Sequence, residues 1–288
     1  MILTDRRVFR TGQRMKKSAF LVLCLILGAA MTLPAHNCLP LGKNRAFNSG
    51  EKLTFSMMFK WGAVNTEVGQ AELSIDSTSF NGKSAYHSAL HVKSMPFFDV
   101  FFKMREHFQG WMSIDDIRPL KFIRDTHEGN YNATNLYYYD WDKKIIHADV
   151  NFDRKGPQNL DIPLKECVFD IGSILYYARC MDTSRLMVGG KYPLSFAIDD
   201  SVFDILLTYR GKEVVKVRKL GKVRCMRFTC TVVSGAMFTG EEEFVLWISD
   251  DGNRLPVGFM APLRVGAVRG WLKAYDNLKY PFSSLLLK

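Results

Sequence analysis

From Leu53 to Tyr275 the sequence runs through roughly fourteen short segments of alternating apolar and polar residues, separated by Gly, Pro, Asn and Asp. Only one stretch reads as a clear helix: Phe169-Asp170-Ile171-Gly172-Ser173-Ile174-Leu175-Tyr176-Tyr177-Ala178-Arg179. Asp170 is placed to cap it by accepting the amide of Ser173. Ile171, Ile174, Leu175 and Ala178 recur at helical spacing, which predicts the buried face. So short a helix does not persist alone in water, so a sheet must hold it. There is no strand–helix–strand alternation, and an antiparallel sheet of this many strands has to curl or split. The expected fold is mainly β: a curved antiparallel sheet or open half barrel, with this central helix as its plug and one short aromatic helix.

The expected strands are Leu53–Trp61, Val64–Ile75, Ser84–Lys93, His107–Ile114, Leu120–Asp125, Tyr131–Asp140 and Lys144–Asn151 before the helix. After it come Tyr192–Ile198, Val202–Tyr209, Glu213–Arg218, Lys222–Val233, Glu242–Ser249, Leu255–Pro262 and Val265–Tyr275. Asn81-Gly82 is the strongest hairpin signal. Lys155–Lys165, with Gly156-Pro157 and Pro163, reads as a loop. In Met95–Met104 the pairs Phe97/Phe101 and Phe98/Phe102 repeat every four residues, which predicts a short amphipathic helix.

The net charge is +10, but residues 1–35 hold six basic side chains and one acid, so the remainder carries +5. That leader reads as an export signal: Lys16-Lys17, an uncharged run, then Thr32-Leu33-Pro34-Ala35, with cleavage expected after Ala35 and translation starting at Met1 or Met15. The alternative is an uncleaved anchor. Residues 36–288 read as a single β-rich domain, its core about 48–276. Five cysteines follow the leader: Cys38, Cys167, Cys180, Cys225 and Cys230. An odd number at scattered spacing is no disulfide framework, and C-x-x-C is absent. Cys167 and Cys180 flank the central helix; their pairing is an open alternative, opposed by the helical rise between them.

Several pieces together resemble an exported bacterial family known as domain of unknown function 3108. They are Gly50-Glu51, Trp61-Gly62, Gly69, Arg124…Glu128-Gly129-Asn130-Tyr131, Asp170…Ser173…Tyr176-Tyr177-Ala178-Arg179, Val188-Gly189, Gly211-Lys212-Glu213, Gly221…Cys225, Trp247-Ile248-Ser249-Asp250-Asp251, Arg254-Leu255-Pro256 and Val265-Gly266. Gly190 departs from the pattern, which has an acidic residue there. The resemblance implies a fold and an envelope compartment, periplasmic or associated with the outer envelope, but no catalytic residues. At one further remove the architecture is similar to the open β-barrels of periplasmic lipoprotein carriers, an analogy of shape.

The chemical motifs are sparse. His87 and His91 have the spacing of a zinc pair only on a helix; on a strand they stand about 13 Å apart at ~3.3 Å per residue. Gly82-Lys83-Ser84 lacks the upstream glycine of a phosphate loop. Asp250-Asp251-Gly252-Asn253 lacks the later ligands of a calcium loop. Neither a metal nor a cofactor is expected. Arg124, Glu128, Tyr131, Asp170 and Arg179 form the most interesting polar set, read either as a head-group site within a cavity or as an ion-pair network locking helix to sheet. A basic hairpin carries Lys216, Arg218, Lys222 and Arg224. It is read either as a surface for anionic lipid or glycan or as protection of an edge strand. Phe97, Phe98, Phe101, Phe102 and Met104 either fill the core or line an apolar cavity suited to acyl chains.

These features lead to an expected non-enzymatic binding or carrier module of the cell envelope for an amphipathic ligand. The alternatives are an envelope hydrolase acting on glycan or lipid, with Glu128 and Asp170 as its first suspects, and a structural partner in an envelope assembly. Nucleic acid is not an expected partner, because the basic hairpin offers no aromatic stacking platforms.

Overall fold

The computed structural model describes residues 38–152, 155–232, 244–262 and 266–286. The expected export signal and its cleavage after Ala35 lie outside them. The strands are β1 (Glu51–Trp61), β2 (Val64–Phe80), β3 (Lys83–Ser94), β4 (Met104–Ser113), β5 (Pro119–Glu128), β6 (Tyr131–Asp140), β7 (Ile145–Phe152), β8 (Pro157–Pro163) and β9 (Val168–Phe169). They continue with β10 (Lys191–Ile198), β11 (Ser201–Val217), β12 (Gly221–Val232), β13 (Phe244–Ser249), β14 (Pro256–Pro262), β15 (Ala267–Asp276) and β16 (Leu285–Leu286). Among the described residues two short α-helices interrupt them, α1 (Pro96–Asp99) and α2 (Ile171–Cys180). No helix among the described residues is long and apolar enough to cross a membrane.

All sixteen strands of the described residues belong to one sheet, in the order β8-β7-β6-β5-β4-β3-β2-β1-β15-β14-β13-β12-β11-β10-β9, with β16 beside β12. Neighbours run antiparallel except β9 and β10. The order starts at β8 and ends at β9, so the sheet is curved and mainly antiparallel without closing into a barrel. Strand β1 joins its two halves, pairing β2 on one side and β15 on the other.

Three expectations are corrected by these elements. Residues 155–165, read as a loop, contain β8; its terminal prolines are tolerated because β8 is an edge strand, paired among the described residues only to β7. Val202–Tyr209 and Glu213–Arg218 are one strand, β11, because Gly211 makes a bulge at φ +97° rather than a break. The predicted aromatic helix shrinks to one turn, Pro96–Asp99, continued by turns through Phe102.

Helix α2 lies where the sequence places it. Asp170 accepts the Ser173 amide at 2.8 Å, and the Ser173 hydroxyl accepts the Asp170 amide at 3.0 Å, a reciprocal capping box. The face differs from the predicted one. Gly172, Ser173, Tyr176, Tyr177, Arg179 and Cys180 are buried, whereas Ile171, Ile174, Leu175 and Ala178 are only partly so. Gly172 lets the helix meet β3 and β4, since a Cβ there would stand 2.8 Å from Ser88 Oγ and 3.6 Å from Gly110 Cα. Arg179 goes inside because Glu51 of β1 meets it with two hydrogen bonds, at 2.6 and 2.9 Å. The carbonyls of Ala46 and Asn253 take more of its donors.

Cys167 is bonded to Cys38, not to Cys180, which is a buried free thiol. A cross-link spanning 129 residues restricts the unfolded chain and stabilises the fold by about 5 kcal/mol in the chain-entropy account.

Candidate functional site

Helix α2 packs on β3, β4, β9 and β10. A cavity lies elsewhere, at the end of the sheet that carries the β1–β2, β3–β4 and β5–β6 connections. There β1 contributes Met57 and Phe59, β2 Val68 and Gly69, β3 Val92, Lys93 and Ser94, β4 Met104, β5 Glu128 and β15 Val268. The α1 segment adds Phe98, Phe101 and Phe102, and together these enclose about 640 Å³. The register explains the convergence: Met57 lies opposite Gly69 on β2 and Gly270 on β15, and Phe59 lies opposite Thr66 and Val268. Gly69 lets β2 lie close to β3 in this wall, because a Cβ there would stand 2.5 Å from the Lys93 carbonyl oxygen. The lining is almost wholly apolar, its polar side chains being Lys93, Ser94 and Glu128.

A polar latch holds the α1 segment over the cavity. Asp99 accepts two hydrogen bonds from Arg105 of β4, at 3.1 and 2.6 Å, and one from the Ser94 hydroxyl. The Arg105 guanidinium holds the Asp99 carboxyl down at about 2. On the far side, the Gly129 amide donates to the Lys103 carbonyl at 2.8 Å, and the Phe102 ring lies against Gly129.

Glu128 couples the cavity to a buried carboxyl. Glu106 and Glu128 share one face of β4 and β5, and burial, followed by the neighbouring Glu128, pushes Glu106 up to about 8. Behind it, the Thr126 hydroxyl donates to Glu106 at 2.6 Å and accepts from Arg124 Nε at 2.8 Å. Arg124 in turn pairs with Asp199 at 2.8 Å, and its guanidinium lies 6.0 Å from the Tyr131 ring centroid.

The polar set read from the sequence is thus divided. Glu128 lines the cavity; Arg124 and Tyr131 belong to the network behind it. Asp170 is used as the cap of α2, and Arg179 is taken by Glu51. Of the aromatic set, Phe98, Phe101, Phe102 and Met104 line the cavity, while Phe97 stands outside its lining and is 72% exposed. None of the four phenylalanines is buried in the core. Met57, Phe59, Val68, Val92 and Val268 carry no signal of their own in the sequence, where they read as ordinary alternating strand residues, and Glu106 falls just before the expected strand His107–Ile114.

In the basic hairpin, Arg224 pairs with Asp250 at 3.2 Å. Lys222 and Arg224 lie on β12, which has β11 on one side and β13 and β16 on the other, so these two cations do not guard an open edge. Lys216 and Arg218 instead line a second cleft. Among the described residues no group of three or more His, Cys, Asp or Glu is placed to hold a metal ion.

The family model for a protein of unknown function, DUF3108, matches residues 54–273, more than half of the chain. No curated protein matches it. Among solved structures, the chain is similar to a β-barrel-like protein of domain of unknown function DUF1849 from Brucella abortus. The TM-score is 0.54 at 10% identity, covering 83% of this chain and 99% of that one. At that identity the likeness concerns the fold alone.

Proposed function

The chain belongs to the DUF3108 family, described only as a protein of unknown function, and from that premise we propose a non-enzymatic binding or carrier module of the cell envelope. Its ligand is an amphiphile whose acyl chain occupies the cavity beneath the phenylalanine segment. The observation that carries this reading is the cavity: about 640 Å³, within the usual range of small-molecule sites, and walled by Met57, Phe59, Val92, Phe98 and Phe101. Glu128, beside the buried Glu106, gives it one polar end. A carboxyl at that end accepts hydrogen bonds from a hydroxyl or amine head. The Cys38–Cys167 disulfide fits an oxidising compartment such as the periplasm.

The hydrolase alternative has less support, because Asp170 is buried as a helix cap and does not face Glu128 across a cleft. The test is displacement of the neutral dye N-phenylnaphthylamine by a monoacylglycerol. The Phe98→Ser/Phe101→Ser variant is expected to weaken binding by roughly tenfold or more, because it removes two apolar walls. Unchanged affinity in a folded variant would overturn the reading.

A further inference from the structure

The end of the sheet that bears the cavity also bears most of the exposed apolar bulk. Trp61 and Val64 face each other at the β1–β2 turn and are 59% and 47% exposed. Beside them Phe97, Val100 and Phe101 are 72%, 83% and 78% exposed. Phe59, two residues before Trp61, lines the same cavity as Phe101, which places both groups at one mouth. Exposure gathered in this way differs from the single apolar residues scattered over an ordinary surface.

Cations surround this mouth. Lys60, Lys93 and Lys103 are exposed there, and Asp99 is already paired with Arg105. On the opposite face of β1 and β15, the tip of the β11–β12 hairpin brings Lys216, Arg218 and Lys219 against Met58, Asn65, Arg269 and Lys273 around a cleft of about 370 Å³. Among the described residues Glu67 is the one carboxylate lining that cleft, and it lies 3.6 Å from Lys273. Arg269 Nε is buried without a hydrogen-bond partner among the described residues. Lys216 stands directly opposite Lys222, a like-charge pair that an anion would relieve.

We propose that this end docks on an anionic phospholipid bilayer. Trp61, Val64, Phe97, Val100 and Phe101 enter the headgroup region, and Lys216, Arg218 and Lys219 meet the phosphates. Aromatic residues with flanking cations are the side chains that favour such an interface. The inference extends the carrier reading, on which it rests only for its purpose: a cavity opening at the membrane lets an acyl chain pass without crossing water.

The test is flotation of the purified protein with vesicles of phosphatidylcholine, alone or mixed with phosphatidylglycerol. Flotation is expected with the mixed vesicles, falling about tenfold in Trp61→Ser/Phe101→Ser and in Lys216→Gln/Arg218→Gln/Lys219→Gln. Thermal melts identify variants that remain folded. No flotation of the parent protein, or flotation unchanged in both folded variants, would overturn the proposal. So would a dimer in solution that Trp61→Ser dissociates, since a second copy would then cover the tip. Flotation of a protein whose cavity takes no monoacylglycerol supports docking and removes only the carrier reading.

Discussion

Replacing Glu51 with alanine is expected to destabilise the protein by roughly 3–5 kcal/mol, the usual cost of breaking a buried ion pair. Both side chains are only 1% exposed, and Arg179 also lies 5.5 Å from the ring centroids of Phe47 and Tyr176. Without Glu51 the guanidinium keeps only carbonyl partners in a site closed to water. The measurement is the urea midpoint at constant m. The double variant Glu51→Ala/Arg179→Leu is expected to be less destabilised than Glu51→Ala, because it leaves no unpaired charge. A single variant as stable as the parent would contradict this account of how α2 is held.

Stability is also expected to rise as pH falls from about 8 to about 5. Burial raises Glu106 to about 8 and Asp170 to about 7 in the folded protein. A carboxyl whose folded pKa lies above its unfolded value binds its proton more tightly when folded, so its contribution is present at low pH and lost as pH rises through the window. Each group changes stability by up to about 1.4 kcal/mol per pH unit within that window. His91, lowered by burial and by His107, acts in the opposite direction as pH falls below the usual histidine range. Urea midpoints at several pH values test this, and Glu106→Gln is expected to flatten the slope. A parent protein that loses stability between pH 8 and 5 would contradict it.

The strands were legible in the sequence because alternation and turn residues are local signals. Asn81 and Gly82, at φ 50° and 75°, form the hairpin turn their side chains predict. The capping box of α2 was equally local. What the sequence hid depends on distant partners. Arg179 could be placed inside only by knowing that Glu51, 128 residues away, meets it. Cys167 could be paired only by knowing where Cys38 lies. Strands β9 and β16 have two residues each, too few for a period to show. Phe98 and Phe101 carried a helical repeat that fits a core face or a cavity wall equally well, and only the surrounding strands distinguish the two.

Native mass spectrometry of the protein purified from its native cells, compared with denaturing conditions, tests the central claim most directly. The expected result is a stoichiometric amphiphile released only on denaturation, and absent from a folded Phe98→Ser/Phe101→Ser variant. A bare protein mass under native conditions, in protein that also fails to take up monoacylglycerol, would contradict it.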